Sequence, residues 1–303
     1  MRDPRPMASL TWTNPILNQS GPDPFIYRAD GAYWLITTGE ARDGHFLPIW
    51  RSHDLVTWAF VRGAVARGAA GVWNRFNFWA PEVLHHHGRF WLYYTAKHTE
   101  DDQNHSNRVG LAVSDRPEGP FEDRGVVLDH ASLDASPFRD ADGTLWLLYV
   151  TEYGNARGLA PGRIWVDRLL DPAHLADQAV CLVEKHFWQE GPVMLRQRDG
   201  RYRLTYSIGA WTNDTYRVVQ AVGNRPDGPF TESDRVIMKS TAEVKGPGHH
   251  NFFTGPDGEP WLVYHGWDTA MTARYPRMDR LLVASDGTFS TPGPTSSTQK
   301  YAW

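Results

Sequence analysis

Three carboxylates stand out along this 303-residue chain because each sits in a short, rigid setting. Asp23 lies between Pro22 and Pro24, whose rings restrict the backbone on both sides and so fix where the side chain points. Asp134 precedes Ala135-Ser136-Pro137, another short rigid entry, and Glu190 precedes Gly191-Pro192. The longer arm of Glu190 can reach a ligand across a cavity. Acids gathered around one cavity are costly unless they are solvated, share protons or bind a cation. Two acids facing a glycosidic bond can hydrolyse it, one protonating the leaving oxygen while the other activates water. A third nearby can hold the donor protonated at neutral pH by like-charge repulsion, or orient it.

The elements that must position these acids are written as a repeat. Five copies of one pattern read GAYWLITT from Gly31, GRFWLYYT from Gly88, GTLWLLYV from Gly143, GRYRLTYS from Gly200 and GEPWLVYH from Gly258, at spacings of 57, 55, 57 and 58 residues. Each copy is aromatic-rich and β-forming and is entered through a turn such as Asp-Gly. A unit of about 55 residues suits a four-stranded propeller blade. The chain is therefore expected to be all-β, a five-bladed β-propeller, with residues 1–303 as one catalytic domain. The stretch before each turn is then the innermost strand, starting beside the axis. Those stretches carry Asp23, Glu82, Asp134, Glu190 and His249-His250, each beside Pro or Gly, so radial blades bring these groups to one end of the axis. Ile49 to Leu55 and Val109 to Asp115 occupy similar places in the first two blades. Arg116-Pro117-Glu118-Gly119-Pro120-Phe121 is nearly matched by Arg225-Pro226-Asp227-Gly228-Pro229-Phe230, as expected of outer-strand hairpins. Residues 171–178 offer at most one short turn or helix, and the Pro, Ser and Thr-rich stretch 291–297 is expected to cross the surface.

Composition narrows the partners. Apolar residues make up 41% and charged residues 22%, ordinary for a globular protein with a core. The net charge of −4 and the lack of a basic stripe argue against nucleic acid and anionic membranes. Cys181 is alone, so no intramolecular disulfide forms. The N-terminus lacks the apolar stretch of a signal peptide, which points to a cytoplasmic protein, or a secreted one if a leader has been removed. A closed propeller with short, protected edges can live as a monomer or a simple homo-oligomer.

Taken together, Gly-Pro-Asp-Pro-Phe from Gly21, Trp-Ala-Pro-Glu from Trp79, Asp-Ala-Ser-Pro-Phe from Asp134, Glu-Gly-Pro-Val-Met-Leu from Glu190 and Gly-Pro-Gly-His-His-Asn from Gly246 resemble the family 43 glycoside hydrolases in order and spacing across almost the whole chain. The resemblance implies a five-bladed propeller that hydrolyses arabinofuranosyl or xylosyl linkages of plant-derived oligosaccharides with inversion. By matching position, Asp23 would be the general base, Glu190 the general acid, and Asp134 the residue that tunes and orients that acid. An inverting pair should stand about 6.5–9.5 Å apart, leaving room for water. The resemblance also places His249 at the axis, beside a structural calcium or a water cluster, while the reaction requires no cofactor. Calcium prefers oxygen donors, so one imidazole is a poor predictor of it.

Aromatics and polar groups near the inner strands are the substrate-binding candidates. Trp79 and Phe78, in a cluster with Trp73 and Phe76, are placed to wall a sugar pocket, and Trp188 stands two residues before Glu190. Glu82 is either a fourth pocket acid or a group hydrogen-bonded between blades. Arg274 or Arg277 supplies the arginine that family members place near the acid, and Arg277 is carried as the candidate. His265 is read as a core group or one behind the site. The leading expectation is an exo-acting α-L-arabinofuranosidase or β-xylosidase. An endo-acting 1,5-α-L-arabinanase needs an open groove across the propeller. A non-catalytic sugar-binding propeller has no need of Asp23, Asp134 and Glu190 together. Fructan hydrolases share fold and acids, but their Asn-Asp-Pro-Asn-Gly signature is absent.

Overall fold

The computed structural model describes residues 8–303, and among these there is no helix. Strands gather into five sheets of consecutive antiparallel strands, the five blades of a β-propeller. The inner strands are Phe25–Ala29, Phe76–His86, Ser132–Arg139, Gln189–Arg196 and Lys245–Thr254. The repeated segments form the second strand of each blade: Ala32–Ile36, Arg89–Lys97, Leu145–Thr151, Tyr202–Ile208 and Pro260–Trp267. Residues 171–178 form no helix; His174–Leu175 pairs back onto Ile164–Asp171 at the outer edge of blade 3.

Each second strand is sandwiched between neighbouring blades, which explains why the repeat is almost continuously apolar rather than alternating. Tyr33 and Leu35 pack towards blade 5, while Trp34 and Ile36 pack towards blade 2. Side chains alternate between faces at period two, so every second strand feeds two interfaces. Five apolar clusters result, one for each gap between blades. Most of the chain's many aromatics are spent here; Tyr93, Tyr149, Tyr206, Tyr264 and Trp261 are fully buried.

Blade 5 has three strands, and the start of the chain completes it. Trp12 Nε1 and Asn14 Nδ2 donate to the carbonyl of Met278 (3.1 and 2.8 Å), Met278 N–H donates to Asn14 Oδ1 (2.9 Å), and Ile16 N–H donates to the Pro276 carbonyl (2.9 Å). Ser9–Trp12 also pairs with Gln299–Ala302, so both ends of the described chain close the ring against one blade.

The glycine that opens each repeat has a backbone reason. Gly31, Gly88, Gly143, Gly200 and Gly258 have φ of 71°, 73°, 90°, 86° and 81°, and a Cβ at any of them would meet nothing within 4 Å. Conformation, not space, selects glycine at these turns. Gly143→Val should therefore cost about 1–2 kcal/mol of stability in a urea titration, and Gly143→Asn clearly less, because Asn tolerates the left-handed region. Equal losses would show that the turn selects glycine for another reason.

Candidate active site

At the axis end of every inner strand the backbone makes the same departure. At the corresponding place in each blade a residue takes a left-handed conformation: Asp23 (φ 52°), Ala80 (44°), Asp134 (55°), Gly191 (53°) and His249 (46°), with Asn77 (56°) and Gly246 (45°) doing so again three residues before Ala80 and His249. In blades 2 to 5 the ladder to the second strand also slips in register there, at the Trp79/Glu82, Leu133/Ser136, Glu190/Val193 and Gly248/Asn251 steps. A bulge of this kind frees a residue from the pleat and re-aims its side chain. The freed N–H of each finds a side-chain acceptor. Thr38 Oγ1 accepts from Ala80 (2.8 Å), Thr95 Oγ1 from Asp134 (3.2 Å), Ser207 Oγ from His249 (2.9 Å) and His265 Nδ1 from Asp23 (3.2 Å). These four acceptors are the last residues of four of the repeats, each within two residues of the end of the second strand of the preceding blade. At Gly191 the acceptor is instead Asp134 Oδ2 (3.0 Å).

The result is a cavity of about 710 Å³ at the end of the axis, lined from all five blades. Asp23, Asp134, Glu190 and His249 face it, with Trp79 and Trp188 in its walls. Asp23 is buried, and burial opposes its charge. The His249 and Arg274 cations outweigh that, and its carboxyl is held far below the usual range. Arg274 Nη1 donates to Oδ1 (3.4 Å), Thr38 Oγ1 donates to Oδ2 (2.6 Å), and His249 Nδ1 stands 3.5 Å from Oδ1. His265 lies 3.2 Å from the same oxygen, but its Nδ1 accepts the Asp23 N–H, so the ring acts as a neutral acceptor. Burial pushes its pKa down to about 4, consistent with that role.

The other members answer to this charge. Burial lowers the pKa of His249, but Asp23, Asp134 and Glu190 raise it further than burial depresses it, leaving a net upward shift. Asp134, buried and facing Glu190 and Asp23, is pushed up despite His249 at 3.8 Å and the Gly191 N–H. Glu190 is gripped by two donors, Tyr216 Oη to Oε1 (2.6 Å) and Trp188 Nε1 to Oε2 (2.5 Å). Two carboxylates and an imidazole do not by themselves make the six to eight oxygen ligands that calcium takes, and Asp23 is already engaged by Thr38 and Arg274. Among the described residues no group of three or more His, Cys, Asp and Glu is arranged to hold a metal.

Three expected pocket residues lie elsewhere. Phe78 is buried in the gap between blades 1 and 2, stacked on Phe46 (4.0 Å) and Tyr94 (6.1 Å). Glu82 is not in the cavity wall; it receives Ser136 Oγ from blade 3 (2.9 Å), and burial raises its pKa well above normal. Arg277 is buried, donating to the Thr295 carbonyl (3.1 Å) beneath the tail 291–297. It stands three residues farther along the strand than Arg274 and on its opposite face, so Arg274 is the arginine at the cavity. Sequence reading missed Tyr216, Thr38, Trp211 and a fourth acid, Glu152. Glu152 accepts from Asn107 Nδ2 (3.2 Å) and from the Tyr153 N–H (2.9 Å). Thr38 is the last residue of the first repeat, GAYWLITT, whereas Tyr216, Trp211 and Glu152 sit in no motif and no local pattern distinguishes them.

A propeller whose axis opens on three converging carboxylates has the groups that hydrolysis of a glycosidic bond uses. The sequence profile of glycosyl hydrolases family 43 matches residues 12–289, and the chain belongs to that family of inverting hydrolases. It is similar to a β-D-galactofuranosidase of Aspergillus niger, 27% identical over 88% of this chain and 81% of the relative. It is also 27% identical to a xylan 1,3-β-xylosidase of a Vibrio species, covering 97% of this chain but only 56% of that protein. An extracellular exo-α-(1→5)-L-arabinofuranosidase of Streptomyces chartreusis is 29% identical over 86% of this chain and 83% of its own length. Among solved structures, a thermostable family-43 glycoside hydrolase superposes with a TM-score of 0.82, at 28% identity and covering 95% and 98% of the two chains.

The geometry around Asp23 makes a prediction independent of substrate. Its folded pKa is depressed, so its stabilisation is present above the unfolded value of about 3.9 and fades as pH falls towards the folded value. Removing one of its cations must raise that folded pKa. In Arg274→Met, the Asp23 carboxyl followed by ¹³C NMR should begin to protonate at a higher pH than in the wild type, where it should stay ionised down to the acid limit of the folded protein. An unchanged titration would mean that Arg274 contributes nothing to holding Asp23 ionised.

Proposed function

We propose that the cavity hydrolyses the terminal α-L-arabinofuranosyl or β-D-xylosyl unit of plant-derived oligosaccharides, with the propeller as the one catalytic unit. The observation that carries this is the unequal treatment of the acids. Asp23 is held ionised by its cations, whereas Asp134 is pushed towards its neutral form beside Glu190. An ionised Asp23 suits the base: it takes a proton from water as the water oxygen bonds to the anomeric carbon. Glu190 gives its proton to the glycosidic oxygen as the bond from that carbon breaks. Asp134 sits behind Glu190 and binds the N–H of the next residue, Gly191, so it positions the acid through the backbone as well as through charge. His249, between Asp23 and Asp134, offsets their repulsion. Hydrolysis by this set draws on carboxylates and water and needs no cofactor.

Walls drawn from all five blades suit a pocket that takes one chain end, which supports exo action over an arabinanase groove. The proposal is tested with oligosaccharides and p-nitrophenyl glycosides of α-L-arabinofuranose and β-D-xylose, with β-D-galactofuranose included because a relative bears that activity. Asp23→Ala should abolish turnover of every substrate. Glu190→Ala should lose about 10²–10⁴-fold on oligosaccharides and far less on p-nitrophenyl glycosides, whose leaving group needs no proton. Equal losses on both would remove the acid assignment.

A further inference from the structure

Phe187 is 85% exposed, ahead of Leu170 at 60%, the next most exposed large apolar side chain among the described residues. It stands in the rim of the active cavity, next to Trp188. An aromatic ring left in water on a slack loop would signify little, but this segment is fastened on every side. Arg163 Nη1 donates to the carbonyls of His186 (2.9 Å) and Phe187 (3.2 Å). The His186 ring meets Glu232 Oε1 at 2.5 Å, and the same carboxylate receives Lys185 Nζ and Tyr206 Oη. Beyond it, Gln189 Nε2 donates to the carbonyls of Gly162 and His186. The Trp188 ring stacks on Tyr153, with centroids 5.3 Å apart and planes 22° from parallel.

Position gives this fixed ring its use. A proton donor must face the oxygen that departs, so the leaving group lies on the side of the cavity that Glu190 borders. Trp188 donates to Glu190 and borders the same side, and Phe187 follows it outwards to the mouth. Flat apolar faces there are interleaved with polar groups, the His186 ring and the buried Glu152 carboxyl. That mixture matches a ligand with a C–H face and a hydroxyl edge. We propose that Phe187, with the Trp188–Tyr153 stack, forms the binding wall for the leaving group, and that its occupant is a further sugar residue of the oligosaccharide. Glu232 and Arg163 act as positioning residues that hold this wall. The inference rests on the glycosidase reading above.

The test compares leaving groups that need the same proton but differ in reach. α-L-Arabinobiose and xylobiose extend to Phe187, whereas methyl α-L-arabinofuranoside and methyl β-D-xyloside do not. For whichever sugar the wild type cleaves, Phe187→Ala should lower kcat/KM about tenfold on the disaccharide, chiefly through KM, and leave the methyl glycoside within about twofold. Phe187→Trp should keep the disaccharide activity. Equal losses on both substrates would assign Phe187 to the acid instead and overturn the proposal, as would no loss on either. A wild type that cleaves a methyl glycoside but no disaccharide also overturns it. A wild type inert towards all of these, and towards the p-nitrophenyl glycosides, sinks the glycosidase reading itself, and the wall with it.

Discussion

The hydrogen bond that seats each inner-strand bulge on its neighbouring blade is the constraint from which the site follows. A non-glycine residue in the left-handed region is disfavoured by roughly 1–2 kcal/mol, and Asp23, Ala80, Asp134 and His249 all adopt it. Each does so with its N–H bound to a buried or half-buried acceptor on another blade, an arrangement that would leave an unsatisfied donor if the backbone relaxed. Blade packing thus holds the strained residue, and the strained residue aims its side chain at the axis. Where that residue is Asp or His, a functional group converges. Where it is Ala80 or Gly191, nothing projects, and this leaves space in the cavity. Thr38 ties the scheme together, since the hydroxyl that accepts from Ala80 also donates to Asp23.

The same arrangement resolves the electrostatic problem of placing several acids in one buried end. Their charges are not spread evenly. Cations crowd Asp23, from Arg274 on blade 5 and from His249. Asp134 has Glu190 and Asp23 as neighbours and only the shared imidazole on its side, so its charged form is disfavoured. The acids favour the charged form of His249, and its stabilising effect is present below the usual histidine range and lost as pH rises through its raised value. A carboxyl held ionised is what the base of acid–base hydrolysis requires, and Asp23 is that carboxyl. Here that ionisation arises from which blade carries the arginine.

Much of this was legible in the sequence, for a physical reason: a turn that demands positive φ recurs with its glycine, and a strand buried on both faces recurs as an apolar run. Asp23, Asp134 and Glu190 were legible because proline or glycine stands close to each of them. The misplaced residues lie where counting fails. The pairing of Phe76–His86 slips twice, between Phe76 and Trp79 and again between Trp79 and Glu82, so alternation cannot be carried along it. Trp79 turns to the cavity, Phe78 enters the core, and Glu82 sits among neighbouring inner strands. Arg277 and Arg274 differ by an odd number of residues, and only the depth of the strand start decides which reaches the site. Tyr216 and Glu152 carried no signal because their importance lies in contacts between segments far apart in the chain.

Two glycines connect the motifs to the acid in a way composition does not reveal. Both donors on Glu190 rest against backbone that lacks a Cβ. A Cβ at Gly248, within Gly-Pro-Gly-His-His-Asn, would stand 2.1 Å from the Tyr216 ring, and one at Gly162 would stand 2.7 Å from the Trp188 ring. Neither ring can move without breaking contacts, since Tyr216 is fully buried and stacked on His265, and Trp188 is stacked on Tyr153. Any side chain at either glycine must therefore displace a donor from Glu190. The glycines of blades 3 and 5 thus set the orientation of a carboxyl on blade 4, and the acid's geometry is a property of three blades rather than of the strand that carries it.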